Sequence, residues 1–299
     1  MTDPVFEAHR DHLMAVAYRM LGSRADAEDA VQEAWLRWHA TAAGPAGEQI
    51  DDPRGWLTTV TARICLDQLR SARVRREAYV GQWLPEPVVD RFEADLADQV
   101  VRTDEVSYAL LVVLERLNPE QRVAFVLHDV FAVPFAEIAE VLATTPAAAR
   151  QLASRARRTV SADDAPRHTA DLAEQRRVVD AFLDAARAGD IDGLLAVLAP
   201  DAVAVGDGGG MVPAGRRPVA GALPVARFIA GLFRRYQREA TAVRVEPVLL
   251  NGDLGLLAEA DFPDGSMLRG TMAFAVTGGQ LTAVYNQVNP AKLTRIPTN

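Results

Sequence analysis

The chain is almost without cysteine and almost without lysine: Cys65 and Lys292 are the only ones in 299 residues. A single thiol excludes an intrachain disulfide and any multi-cysteine zinc site. No apolar run approaches the ~20 residues that a membrane helix needs. The N-terminal MTDPVFEAHR also lacks a signal peptide's apolar segment. The chain therefore reads as cytosolic, with no membrane partner. All five histidines (9, 12, 39, 128 and 168) fall before Leu172, so the last part of the chain has neither imidazole nor thiol chemistry. A metal site there would need carboxylates alone. Positive charge is short overall, with 32 Lys and Arg against 40 Asp and Glu and a formal net charge of -8.

What is present is a local positive field. Asp52 to Pro87 reads DPRGWLTTVTARICLDQLRSARVRREAYVGQWLPEP, and six arginines but one acid lie between Arg54 and Arg76. Asp52 at the N-cap and Pro53 at the first helical position open a helix. Helical stepping puts Trp56, Leu57, Val60 and Ile64 on its apolar face and Thr59, Arg63, Arg70 and Arg73 on the adjoining one. A basic stripe inside an acidic protein is the footprint of phosphate binding. A solvated basic helix face is the alternative.

Before this helix, Phe6 to Leu21 carries Phe6, Leu13, Val16, Ala17 and Met20 at helical spacing, and Gly22 ends it. Ser23 caps a second helix with Asp26 three residues on. Val31, Trp35 and Trp38 form its buried stripe, leaving Asp29, Gln32, Glu33 and Arg37 more exposed. The stretches AYRMLGSRADAEDAVQEAWLRWH and PRGWLTTVTARICLDQLR together resemble region 2 of bacterial sigma factors of the extracytoplasmic-function group. The resemblance implies that Asp29, Gln32 and Glu33 face the β′ clamp of core RNA polymerase. It also implies that Trp56, Arg63, Arg70 and Arg73 face the −10 promoter element. Melting DNA requires an extruded base to be held and a single strand to be tracked by cations, which suits an aromatic with arginines. Trp56 also lies on the apolar face, so a place in the core is its other reading.

From Tyr79 to Thr103 the helical period breaks, since the prolines of WLPEP (83–87) push their predecessors towards extended backbone. Seven acids and two arginines between Glu86 and Glu105 fit a solvated tether. Asp104 is expected to cap a helix running to Leu117, and Asn118-Pro119 to start the next. Pro134 opens a third (FAEIAEVLA), and Thr145-Pro146 a fourth (AAARQLASRARRTV). A supporting helix, a tight turn and a basic second helix make a helix-turn-helix. It resembles sigma region 4, which reads the −35 element and contacts the polymerase β subunit. By that resemblance Arg150, Gln151 and Ser154 address base edges, while Arg155 and Arg158 suit the backbone. Ala149 and Leu152 stand where many sigma factors carry a larger apolar residue and a basic one.

Beyond the polar hinge 161–171, acids and bases number 13 each, so this part has no polyanion signature. Helices are expected at 172–188, 191–198 and 224–236. Strands are expected at 202–206, 242–250, 254–260, 266–276 and 280–288, where TAVRVEPV and LTAVYNQV alternate with period 2. The pattern resembles a SnoaL-like α+β cone, a curved sheet around a helix. Asp207, Glu259, Asp261 and Tyr285 are candidate catalytic groups, but their spacing singles out no pair.

The whole chain thus resembles an extracytoplasmic-function sigma factor with a fused C-terminal SnoaL-like domain. WLPEP (83–87), DGGG (207–210) and NPAKL (289–293) are the motifs that recur in that group. The implied fold is multidomain: two all-α sigma domains (1–78 and 104–161), a linker (79–103) and the α+β cone (172–299). Core polymerase and promoter DNA are the implied partners, with a small-molecule or protein effector of the last domain left open. No cofactor and no enzymatic activity are expected. A helix-turn-helix regulator with a sensing or enzymatic last domain is the competing reading. One contact is expected across the chain. The tail Asn289–Leu293 (Asn289, Pro290, Lys292 and Leu293), with Asp207, Gly208, Gly209 and Gly210 nearby, should pack on Trp83, Leu84, Pro85, Glu86 and Pro87. Glu86 is the acid expected to meet Lys292.

Overall fold

The computed structural model describes residues 3–42, 50–77, 79–91, 106–162 and 171–296, and of residues 72–77 and 162 the backbone alone. The chain divides into two units, Met1–Ala78 with Val113–Asp164, and Tyr79–Val112 with Ala165–Asn299. The segment with the WLPEP motif and the start of the following helix thus belong with the C-terminal part of the chain.

In the first unit, the single helix expected over 6–21 is two helices, α1 (Pro4–Glu7) and α2 (Arg10–Leu21). Asp3 caps α1, and Gly22 closes α2 in the left-handed region, φ 68°. The helices α3 (Arg24–Ala42) and α4 (Pro53–Glu77) complete a bundle with α2 around Leu13, Val16, Met20, Ala34 and Leu57, all fully buried. Ser23 Oγ accepts from the Asp26 amide at 3.2 Å, and Asp52 Oδ1 from Gly55 at 3.1 Å, so both expected caps form.

The helix α5 (Tyr108–Leu114) begins later than expected: Ser107 Oγ takes the Leu110 amide at 3.1 Å, and Asp104 lies outside the described residues. Asn118 and Gln121 form a reciprocal capping box at the head of α6 (Pro119–Phe125), which runs on into one π turn, Val126–Val130. The helices α7 (Phe135–Val141) and α8 (Pro146–Ala162) make the helix-turn-helix, with Ala143 at φ 49° in the connection. Ala149, Ala153, Ala156 and Val160 form the buried stripe of α8; its small side chains let the helices approach closely.

The second unit follows the order α9 (Leu172–Ala188), α10 (Ile191–Val197), β2 (Leu198–Asp207), β3 (Val219–Ala220), α11 (Ala222–Glu239), β4 (Ala242–Leu250), β5 (Asp253–Asp261), β6 (Met267–Thr277) and β7 (Gln280–Gln287). A two-residue strand, β1 (Val89–Asp90), joins from the linker. The sheet order is β1-β4-β5-β6-β7-β2-β3, antiparallel except for the parallel β2–β7 pair. Period-2 alternation gives the sheet two faces. Leu256, Met272, Phe274 and Val284 point to the inner face, where α9 and α11 supply Val179, Phe182, Val225 and Ile229. Leu257, Ala273, Ala275, Ala283 and Tyr285 point outward and are covered by Leu84, Tyr108, Ala109, Val112, Leu293 and Ile296. The linker and the C-terminal tail are therefore the second layer of the outer face.

Candidate functional site

On α3, Val31 and Trp38 are buried and Trp35 is half-buried, stacked on His39 with centroids 5.4 Å apart. Asp29 and Gln32 are exposed, and Glu33 pairs with Arg37 one turn on. Gln32 lines an open groove with Phe6, Arg10, Glu28 and Trp35.

On α4, Trp56 is half-buried and meets Trp38 edge-on at 5.6 Å. Arg63 is exposed and donates to the Glu140 carbonyl at 3.0 Å. Arg70 places its Nε and one terminal nitrogen on Glu120 Oε1, at 3.1 and 2.9 Å. Two arginines of the basic face are thus tied to α7 and α6. The Arg73 side chain lies outside the described residues.

Thr145 Oγ1 accepts from the Ala148 amide at 3.2 Å and opens α8. Arg150, Gln151, Arg155 and Arg158 stand exposed along it and Ser154 is half-buried. The Arg150 guanidinium lies 5.3 Å from the centre of the Phe135 ring. Arg157 is taken by Asp129 at 2.8 Å, so it is held against its own unit.

The second unit gathers the remaining motifs around one carboxylate. Asp207, at the end of β2, is fully buried. Its Oδ1 accepts from the Tyr79 hydroxyl (2.5 Å) and the Gly209 amide (2.9 Å). Its Oδ2 accepts from the Leu84 amide (3.0 Å), Gln287 Nε2 (3.4 Å) and Lys292 Nζ (2.7 Å). Lys292 Nζ also donates to the Leu84 carbonyl at 2.6 Å and sits 3.1 Å from the centre of the Trp83 ring. That geometry is a desolvated cation–π contact. Asn289 Nδ2 donates to the Tyr79 hydroxyl at 2.8 Å, while its Oδ1 caps the turn Pro290–Lys292 through the Ala291 amide. Burial and the hydrogen bond to Asp207 push the Tyr79 phenol well above its ordinary range, so it stays a donor.

Glycine is required here. A Cβ on Gly208 would fall 1.8 Å from the Val212 carbonyl oxygen, and one on Gly209 (φ 62°) would fall 2.5 Å from Asn289 Cγ. Gly210 abuts Val80 of the linker. Leu84 is fully buried, and Pro85, Glu86 and Pro87 are buried with it. Pro290 is exposed, and Leu293 is buried against the outer face. The acid that meets Lys292 is Asp207, not Glu86. Glu86 lies instead 3.9 Å from Arg295 Nε, because the WLPEP backbone turns the Leu84 carbonyl, rather than the Glu86 side chain, towards the ammonium.

Comparison with known proteins decides the family. Residues 5–75 match Sigma-70 region 2 and residues 107–160 match Sigma-70, region 4. The ECF RNA polymerase sigma factor SigJ of Mycobacterium tuberculosis is 48% identical over 297 residues, 98% of this chain and 93% of that one. This chain is an ECF RNA polymerase sigma factor. The probable ECF sigma factor SigI of the same organism is 36% identical, covering 97% of this chain and 95% of that protein. The crystal structure of M. tuberculosis SigJ superimposes with TM-score 0.76 at 43% identity, covering 98% and 99% of the two chains. The sigma factor accordingly carries two helical sigma regions and a C-terminal SnoaL-like domain.

Sequence reasoning missed Tyr79, Gln287 and Tyr108. Gln287 Nε2 reaches the Leu84 and Pro85 carbonyls at 3.4 and 3.3 Å, and the Tyr108 hydroxyl donates to Pro85 at 2.8 Å. A signal for Gln287 existed: it continues the outward set Ala283 and Tyr285 of β7 as a polar residue at a buried register. The pairing of the Val88 and Asn251 backbones, 2.9 Å from Asn251 N to Val88 O, had no local sequence signal.

Proposed function

We propose that this sigma factor joins core RNA polymerase in the cytoplasm and directs initiation at promoters with −10 and −35 elements. In this reading the C-terminal domain regulates it in cis through the linker. Asp29, Gln32 and Glu33 would dock on the β′ clamp. Trp56, Arg63, Arg70 and Arg73 would act at the −10 element. Arg150, Gln151, Ser154, Arg155 and Arg158 would act at the −35 element, with region 4 against the β subunit. The C-terminal domain would act as an interaction module without catalysis.

The observation that carries cis regulation is the Lys292–Asp207–Leu84 contact. It ties the turn Pro290–Lys292 to the segment between the two sigma regions. A surface ion pair would contribute little. This one is shielded on both sides, and Leu84 adds apolar burial at ~25 cal/mol per Å². Run-off transcription with core polymerase tests it, comparing the full chain, a chain ending at Val288, and Trp83→Ala. Both variants should change transcript yield markedly and in the same direction while the sigma regions stay folded. Yields indistinguishable from the full chain would overturn cis regulation, and failure to bind core polymerase would overturn the rest.

A further inference from the structure

The C-terminal unit holds a cavity of about 330 Å³ between the inner face of the sheet and α11. Its walls are apolar, with Phe233, Val245, Leu256 and Met272 among them. Gly270, which brings no side chain, leaves part of the space open. The volume is at the lower end of the range for small-molecule sites, and the lining has their character: apolar walls with few polar groups. One of those groups is Asn286. Its carboxamide has no hydrogen-bond partner among the described residues, although it lines the cavity. The Glu259 carboxylate, the one acid of the lining, is taken by Arg269 at 2.7 Å and by Arg244 at 3.4 Å. It is therefore occupied rather than poised as a base. The one cation of the lining, Arg187, stands exposed, so a charged group in the apolar interior would shed its hydration without a buried counter-ion.

The cavity and the linker contact share a strand. Along β7 and just beyond it, Val284, Asn286 and Val288 point to the inner face, and Asn286 and Val288 line the cavity. The alternate residues Tyr285, Gln287 and Asn289 point to the outer face, where Gln287 and Asn289 hold Leu84, Pro85 and Tyr79. A second path runs through the loop after β2. It follows Asp207, the last residue of β2, and its Met211, Val212 and Pro213 line a smaller hollow that shares Tyr236 and Leu268 with the cavity. Met211 and Met267 are 62% and 52% exposed there, which gives an apolar approach made of adaptable side chains.

We infer that the cavity binds a neutral, largely apolar small molecule, a compact ring system with one carbonyl, hydroxyl or N–H group for Asn286. Its occupancy stiffens the end of β7 and so tightens the linker contact on the opposite face. Binding is independent of the reading of that contact as a regulator; the coupling rests on it.

Fluorescence titration of the full chain with N-phenylnaphthylamine, a neutral apolar probe with one N–H, tests the binding. Saturable one-to-one binding in the micromolar range is expected. Ala258→Phe, which fills the cavity from β5 without touching the outer face, should weaken it about tenfold or more. Asn286→Leu, close in volume, should weaken it several-fold. Hydrogen exchange of the peptide containing Leu84 tests the coupling: the probe should slow exchange several-fold in the parent chain and leave it unchanged in Ala258→Phe. In Lys292→Met the probe should still bind but no longer slow exchange at Leu84. Absence of saturable binding, or equal binding by Ala258→Phe with its thermal midpoint preserved, overturns the site. Binding with unchanged exchange at Leu84 in the parent chain overturns the coupling and leaves the site standing.

Discussion

Replacing Lys292 with methionine isolates the charge at the centre of the linker contact. The methionine stem keeps its packing against Trp83, while the ammonium that meets Asp207 at 2.7 Å disappears. Asp207 is fully buried and the Lys292 side chain is 9% exposed, so water does not replace the lost partner. Deleting one member of a buried pair costs about 3–5 kcal/mol because the other charge is left uncompensated. Asp207 keeps the Tyr79 hydroxyl, the Leu84 and Gly209 amides and Gln287, which holds the loss near the lower end, ~3 kcal/mol. At 1.4 kcal/mol per decade, that is about a hundredfold rise in the opening equilibrium of the contact. Native-state hydrogen exchange reads it directly, since the Leu84 amide donates to Asp207. The double variant K292M/D207N should recover much of the protection, because no lone charge remains. Leu84 exchange in Lys292→Met within about threefold of the parent chain would refute the reasoning, as thermal fluctuation alone spans that range.

Three further outcomes are expected. Arg150→Ala should cost about 1–3 kcal/mol at one −35 position and relax specificity there, whereas Arg158→Ala should weaken binding across sequences and lower the salt slope; binding assays on matched and mismatched promoters compare them. Glu33→Arg should weaken binding to core polymerase in a titration while changing stability by less than ~1 kcal/mol, because the side chain is 47% exposed. Burial first, then the positive charge of Arg54, holds His12 down at about 4, against an ordinary value of 6.5. Between pH 6.5 and about 4 the unfolded state therefore binds a proton that the fold refuses, and the first unit should lose stability as pH falls through that window; stability plotted against pH for the parent chain and His12→Gln should differ in slope inside it and run parallel on either side.

Much of this architecture is legible in the sequence because burial imposes a period. TAVRVEPV and LTAVYNQV alternate, and β4, β5, β6 and β7 lie within a residue of the segments 242–250, 254–260, 266–276 and 280–288 expected for them. The Asn118 and Ser23 caps are short-range chemistry and are equally readable. The break between α1 and α2 is not, since Phe6 and Leu13 keep a continuous helical face across it. Nor are β1 and β3, two residues each and too short to show alternation. The motifs WLPEP, DGGG and NPAKL marked the groups that meet, yet not their pairing. Asp207 and Glu86 both lie far from Lys292 in sequence, and only the registers of β2 and β7 bring Asp207 to the ammonium. The engagement of Arg63 and Arg70 by Glu140 and Glu120 is of the same kind, a long-range pairing with no local signature.

The contacts of these arginines and of Asp207 differ in a way that bears on which one yields first. Arg63 meets a carbonyl at the surface and Arg70 a carboxylate with both side chains at least one-third exposed, arrangements whose net contribution is ~0–1 kcal/mol each. Arg122 of α6 is buried to 1% exposure, paired to Glu115 at 2.8 Å and with its Nε and one terminal nitrogen lacking a partner. Its desolvation lowers its pKa to about 9 and opposes burial of the guanidinium. The polar contacts of α4 with α6 and α7 are thus weak pairs, and Arg122 is a buried cation that gains hydration when exposed. Asp207 is the reverse: every oxygen has two or more donors, its counter-charge is capped by an aromatic ring, and exposure would return nothing but water for five protein donors. The pairs of Arg63 and Arg70 on the basic face of α4 are therefore the ones that cost little to break. The contact that holds the linker segment to the C-terminal domain is the one that is costly to open.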